Sequence, residues 1–203
     1  MEEPLKTLPI FALATVLACG GGRAAPPSPD QPPATRPPDL TGAAVMVLPA
    51  QHGPGGAPIG EPVPGLDREL AYWLGERLPR VKWVFPPDLD RALERSPSLD
   101  INIRALAVSI FHRARVENIG DPLFGDLRRL GALTDTRFAL VPVAATYVPN
   151  PTGQGRAEVS IALIDTLGGR VLWFGVAAGQ PGAEGSTGVA ATAASAVASL
   201  FER

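Results

Sequence analysis

The stretch from Arg137 to Gln180 constrains the fold of this chain most, because its pattern predicts three consecutive β-strands. The first, Phe138–Val148, is a long apolar run, and the last, Arg170–Ala178, is rich in β-branched and aromatic residues. The middle strand, Glu158–Asp165, alternates its side chains between two largely apolar faces, which carry Val159, Ile161 and Leu163 on one side and Ser160, Ala162 and Ile164 on the other. We therefore expect other layers to pack on both faces of the sheet.

The preceding part of the chain supplies shorter strands and amphipathic helices. Short apolar runs predict buried strands at Ala43–Leu48 and Val81–Phe85. Helical spacing and start signals predict helices over Leu66–Leu78, from Pro86, over Ile103–Ala114, from Asp121 and from Ser186. The resulting order, β-α-β-α-α-α-β-β-β-α, predicts a three-layer α/β sandwich around a mixed sheet of about five strands.

Two side chains within the predicted strands give sharper expectations. Pro142 lies inside the first of the three strands and cannot donate to a strand ladder, so we expect an edge or a bulge there. Trp173 is predicted to lie on the inner face of the last strand, with Trp73 from the first long helix packed nearby.

The amino-terminal residues have the features of a cleaved and lipidated leader. Leu8–Ala18 is an apolar run of about half the roughly 20 residues that a membrane-spanning helix needs, which is typical of a secretory signal. Cys19, the only cysteine of the chain, follows directly, and residues 16–20 resemble the lipobox of bacterial lipoproteins. That resemblance implies cleavage before Cys19 and lipidation of its thiol. The alternative is that Cys19 is a small apolar residue buried in the fold.

The segment Ala24–Asp39 separates this leader from the folded domain. Seven of its sixteen residues are proline, so it should stay extended at about 3.1 Å per residue and reach roughly 50 Å. The predicted organisation is a signal peptide at 1–18, a lipidated cysteine with a Pro-rich tether at 19–39, and an α/β domain at 40–203.

The composition argues against several classes of function. The formal net charge of −2 argues against a nucleic-acid-binding surface. A single cysteine excludes an internal disulfide and a cysteine-based zinc site. His52 and His112 lie sixty residues apart, without metal-ligand spacing, so we expect neither a metal nor a cofactor.

The known catalytic motifs are also incomplete. Gly55–Gly60 has the spacing of a phosphate-binding loop, but Glu61 and Pro62 stand where lysine and a hydroxyl residue are required. Ser186 lacks the complete glycine pair of a nucleophile elbow, because Glu184 and Gly188 stand two residues on either side of it. We therefore expect no catalytic centre, and we expect the four most notable carboxylates to be exposed or held in capping and turn hydrogen bonds: Asp88, Asp90, Glu158 and Asp165.

Several longer segments carry a family resemblance. The stretches AAVMVLP, LDRELAYWLGERLP, LRRLGALTDTRFALVPVAATY and VSIALIDTLGGRVLWFG resemble the envelope lipoproteins related to the curli-secretion channel protein. They are similar as well to the amino-terminal domain of TolB and to the lipoprotein activators of peptidoglycan synthases. The resemblance covers Ala43 to Arg203 and implies a three-layer α/β domain that binds partner proteins and has no catalytic residues. The chain lacks the long alternating hairpins of a transmembrane barrel, so a pore-forming role does not carry over.

Together these features predict a lipid-anchored accessory domain that binds envelope protein partners in an assembly, secretion or transport complex. Self-association is left open, and the membrane is contacted through the anchor alone. Gly20 after the cysteine indicates, by family analogy, an outer-membrane location facing the periplasm. The alternative is a periplasmic domain that binds or senses a small ligand through the Gly/Pro loop between Gln51 and Pro64.

Overall fold

The computed structural model of the 203-residue chain describes residues 36–51, 65–112, 116–149, 154–180, 182–183, 191–193 and 195–196. Its strands are β1 (Ala44–Val47), β2 (Lys82–Val84), β3 (Phe138–Pro149), β4 (Gln154–Asp165), β5 (Arg170–Ala178) and β6 (Gly182–Ala183). Its α-helices are α1 (Leu66–Arg77), α2 (Pro86–Glu94) and α3 (Leu123–Thr134), and Val108–His112 forms a 3-10 helix. None of the described helices is long and apolar enough to cross a bilayer.

One mixed sheet organises these elements. Its strand order is β2-β1-β3-β4-β5, and β6 pairs with the first residues of β4. β1 runs parallel to both of its neighbours, whereas β3, β4 and β5 form antiparallel pairs. The predicted three-layer α/β sandwich with a mixed sheet is therefore confirmed.

Both faces of the sheet are covered, as the sequence predicts. Residues 191–193 and 195–196, which we call the C-terminal helical segment, pack with α1 on one face, against Val159, Ile161 and Leu163. Residues of α2 and α3 pack on the other face, against Ala162 and Ile164. The alternation of β4 thus places one strand between two hydrophobic clusters.

Trp173 is 2% exposed and belongs to the cluster under α1, and Trp73 packs against the same cluster, so their predicted placement is confirmed. Pro142 lies in β3, which is an inner strand, and the pairing of β3 with β4 shifts register between Pro142 and Ala144. The predicted bulge is therefore present. It interrupts the regular strand pairing beside Pro142, which has no N–H to donate.

The helix predicted over Ile103–Ala114 is wrong over the residues that the structure describes. The chain from Leu99 to Ala107 is irregular apart from a turn at residues 103–104, and in this stretch only Val108–His112 is helical, in a 3-10 conformation. Ile101, Ile103, Leu106 and Val108 are nevertheless buried. Their backbone is held by hydrogen bonds to a side chain: the amide of Gln51 donates to the carbonyl of Ile103 and accepts the N–H of Leu106.

The C-terminal helical segment contacts the sheet where β5 ends. The hydroxyl of Thr192 accepts the N–H of Ala157 at 3.0 Å, and Gly179 lies so near the carbonyl of Thr192 that a Cβ there would come within 1.8 Å of its oxygen. Any larger residue at Gly179 would therefore displace this segment from the sheet. Ser186, predicted to cap this helix, lies outside the described residues.

Candidate interaction surface

The four carboxylates singled out in the sequence each pair with a different arginine: Asp88 with Arg91, Asp90 with Arg104, Glu158 with Arg156 and Asp165 with Arg137. The side chains of Asp88, Asp90 and Glu158 are 45%, 37% and 37% exposed, which confirms that they lie at the surface. Among the described residues, no two of the four share a partner. Each of these acids is thus held by its own arginine.

Asp165 is the one buried member of this set, and its contacts define a turn. One carboxylate oxygen accepts the N–H of Leu167 at 3.0 Å, and the other accepts an N–H of Arg137 at 2.9 Å. Gly169 closes the same turn with φ of 70° and donates its N–H to the carbonyl of Asp165. The predicted turn role of Asp165 is confirmed.

In the described part of the chain, no three His, Cys, Asp or Glu side chains are grouped closely enough to hold a metal ion. Cys19 and His52 lie outside that part. The expectations that the chain has no metal, no cofactor and no catalytic centre therefore stay predictions.

A polar cluster surrounds the chain as it leaves β1. The amide nitrogen of Gln51 donates to the carbonyl oxygens of Pro49 at 2.7 Å and Ile103 at 2.8 Å, and its oxygen accepts the N–H of Leu106 at 2.8 Å. Gln51 is 4% exposed, so these bonds connect three buried backbone groups through one side chain.

Asp67 and Asp90 lie beside this cluster, and their pKa values are shifted in opposite directions. Burial raises the pKa of Asp67 above its ordinary value, although the hydrogen bond from the N–H of Ala50 and the charge of Arg104 act in the other direction. The hydrogen bonds from Arg104 lower the pKa of Asp90, and the Asp90 carboxylate in turn raises the pKa of Arg104. Arg104 is thus fixed by a bidentate contact to Asp90.

This cluster bears directly on the ligand-binding alternative, since Gln51 begins the Gly/Pro loop that such a site would use. The polar atoms described above are engaged with the chain's own backbone and with one another. Residues 52–64 of the loop lie outside the described residues. Ligand binding by Gln51–Pro64 therefore stays a prediction.

The outer side of α1 carries a different kind of surface, formed by Tyr72, Trp73 and Arg77 and called here the α1 aromatic surface. Tyr72 is 60% exposed, and its ring meets Trp73 edge-on with ring centroids 5.6 Å apart. The guanidinium carbon of Arg77 lies 5.2 Å from the centroid of the Trp73 ring. Because Trp73 is itself packed on the core, an exposed tyrosine and an arginine are both held on a fixed aromatic base.

Sequence reasoning missed both Tyr72 and Gln51. The signal for Tyr72 was present, because it is adjacent to the inward-facing Trp73 and a step of one residue around a helix points it outward. The helical periodicity of the sequence therefore places the aromatic ring of Tyr72 on the polar face of the helix. Gln51 gave no such signal, since its partners Ile103 and Leu106 are 52 and 55 residues away.

The fold and these surfaces define a three-layer α/β domain that exposes an aromatic surface on α1. No family model and no curated protein match the chain. Similar solved structures include lipoprotein GNA1162 of Neisseria meningitidis, which is 14% identical over 68% of this chain and 81% of that one, with a TM-score of 0.42. The PelC dodecamer protein of Paraburkholderia phytofirmans is 16% identical over 83% and 91%, with a TM-score of 0.42. The LpoB C-terminal domain of Escherichia coli is 12% identical over 70% and 85%, with a TM-score of 0.39.

Proposed function

We propose that this chain is a lipid-anchored periplasmic accessory domain that binds a protein partner in a cell-envelope assembly, secretion or transport complex. The observation that carries the proposal is the α1 aromatic surface, where Tyr72 is 60% exposed beside Trp73 and Arg77. Tyrosine, tryptophan and arginine are the residues most enriched at the energetic centres of protein interfaces. A rigid base reduces the entropy that a partner's docking would cost.

The anchor in this proposal is Cys19, with residues 1–18 removed and residues 19–39 serving as a tether to the domain at 40–203. Confinement to a membrane raises the effective concentration of the domain near its partner, and the Pro-rich segment sets its reach at roughly 50 Å. The outer membrane is the proposed location, because Gly20 follows the cysteine.

We expect mass spectrometry of membrane-fraction protein to show a diacylglyceryl group on a peptide that begins at Cys19. A Cys19→Ser variant should lose this mass, because serine has no thiol to carry the lipid. A Gln180→Ala variant provides the control, since it changes an exposed residue far from the leader. Mature wild-type protein that still begins at Met1 would contradict the lipidation.

The partner surface is tested by placing a photo-crosslinking amino acid at Tyr72 in the full chain, within intact cells. We expect a defined protein adduct from position 72 and none from Glu94, an exposed residue of α2 on the opposite face of the sheet. Tyr72→Ala should weaken affinity for the partner so identified by about 30-fold, the equivalent of a hot spot of about 2 kcal/mol. Equal affinity of the Tyr72→Ala and Glu94→Ala proteins would reject this surface.

A further inference from the structure

The two edges of the sheet differ in how well they are protected from pairing with another strand. β2 is three residues long, begins with Lys82 and is followed closely by Pro86. Short length, lysine and proline are the usual protections of an edge. β5 is nine residues long, and after Arg170 it contains neither a charge nor a proline. The β5 edge therefore lacks the features that normally prevent strand addition.

The backbone of β5 presents hydrogen-bonding groups on its outer side. Gly179 donates its N–H to the carbonyl of Ala157 at 2.7 Å, and the antiparallel register then pairs Ala177 with Val159 and Gly175 with Ile161. Because hydrogen-bonded and non-hydrogen-bonded pairs alternate in such a ladder, the residues between them point their N–H and C=O groups away from β4. These residues are Phe174, Val176 and Ala178.

The beginning of the same edge is already occupied. Val171 donates to the carbonyl of Glu117, Ile119 donates to the carbonyl of Gly169, and Asn118 forms a bridge with Arg170. In the described ranges of the chain, no strand continues this pairing along residues 172–178. The open part of the edge is thus bounded on one side by residues 117–119 and centred on Gly175.

An exposed apolar side chain lies on this open part. Val176 is 61% exposed, and it shares a sheet face with Phe174, two residues earlier. Phe174 stacks on Phe111 with ring centroids 5.8 Å apart and planes within 4°. The open part of the edge thus combines outward-pointing backbone N–H and C=O groups with an exposed valine, next to the stacked rings of Phe111 and Phe174.

We propose that the β5 edge pairs with the β5 edge of a second copy of this chain, in an antiparallel arrangement about Gly175. In that register Phe174 of each copy lies opposite Val176 of the other. These two residues exchange both backbone hydrogen bonds, once on each side of the two-fold axis at Gly175. Aromatic and β-branched side chains directly opposite one another stabilise antiparallel pairs. The exposed Val176 is covered by this contact.

Charge and geometry both favour a second copy as the occupant. Residues 172–178 carry no charge, so two copies meet without like charges opposed, and a charged strand from another protein would find no counter-charge. The segment at residues 117–119 limits the register on one side, because a shift toward Val171 would drive the second strand into it. An edge this short buries less than the about 800 Å² per partner of a typical stable interface, so we expect a reversible dimer.

Sedimentation of the purified full chain carrying Cys19→Ser tests this proposal without using the lipid anchor or the α1 aromatic surface. We expect concentration-dependent dimers, and Val176→Lys should raise the dimer dissociation constant at least tenfold by placing a charge on the edge. Leu167→Lys is the matched control, because Leu167 is equally exposed at 64% but lies in the turn before β5. A monomeric parent protein, or equal dimerisation of the two lysine variants, would overturn the proposal.

The register has its own test in the same Cys19→Ser background. Differently tagged Phe174→Cys and Val176→Cys chains, mixed under mild oxidation, should form mixed disulfides in preference to those between two Phe174→Cys chains. Directly opposite residues of a hydrogen-bonded pair have Cα atoms about 5.5 Å apart, which suits a disulfide. Equal yields of all combinations would reject pairing about Gly175.

Discussion

Replacing Trp173 with alanine is expected to lower the free energy of unfolding by about 3–5 kcal/mol, as measured by the denaturant midpoint at an unchanged slope. Trp173 is the largest fully buried side chain among the described residues, with 2% of its surface exposed. It lies in the cluster that joins the sheet to α1 and to the C-terminal helical segment. Truncation would therefore leave a cavity between two layers of the sandwich.

The control for this variant is Tyr72→Ala, which removes an aromatic ring that is 60% exposed. Its effect on the free energy of unfolding should stay within about 0.5 kcal/mol, as for most surface substitutions. If Trp173→Ala unfolded at the wild-type midpoint, the register of β5 would have to be different. A shift by one residue would move Trp173 to the opposite face of the sheet.

Much of the sheet could be predicted because its signals are local. The alternation in β4 is a property of consecutive residues, and it correctly indicated that the strand is covered on both faces. The bulge at Pro142 followed from one missing N–H. The turn role of Asp165 was visible for the same reason.

The failed helix over Ile103–Ala114 shows where local signals end. Its apolar residues recur at helical spacing, yet the core takes up Ile101, Ile103, Leu106 and Val108 from a chain without regular α-helix. The competing interaction comes from Gln51, whose side chain satisfies backbone groups that an α-helix would otherwise pair internally. A contact between residues more than fifty positions apart leaves no periodic trace in the sequence.

The proposed functional features also differ in whether neighbouring residues alone indicate them. Cys19 and the Pro-rich segment are recognised from adjacent residues, so the anchor is a prediction that the sequence makes by itself. The open edge of β5 depends on strand order and on the bridge formed by Asn118, which only the assembled sheet defines. An interaction surface of this kind is therefore found only once the strand order is known.

Gln51→Ala is the second substitution for which we expect a large effect. Gln51 is 4% exposed, and besides its local bond to the carbonyl of Pro49 it pairs the carbonyl of Ile103 and the N–H of Leu106, which would both lose this partner. A buried backbone group left unpaired costs about 1–3 kcal/mol, so the two together should lower the free energy of unfolding by about 2–6 kcal/mol. Chemical denaturation measures this loss.

Gln180→Ala is the matched control, because Gln180 is exposed and, within the described part of the chain, its only hydrogen bond runs from its backbone N–H to the hydroxyl of Ser195. Its free energy of unfolding should stay within about 0.5 kcal/mol of the wild-type value. Amide hydrogen exchange gives a residue-specific readout, since the Leu106 N–H should lose its protection in Gln51→Ala while amides of β4 exchange only as fast as the lower global stability allows. Retained protection at Leu106 would mean that another acceptor holds this amide, and the segment around Ile103 would then owe its non-helical path to something other than Gln51.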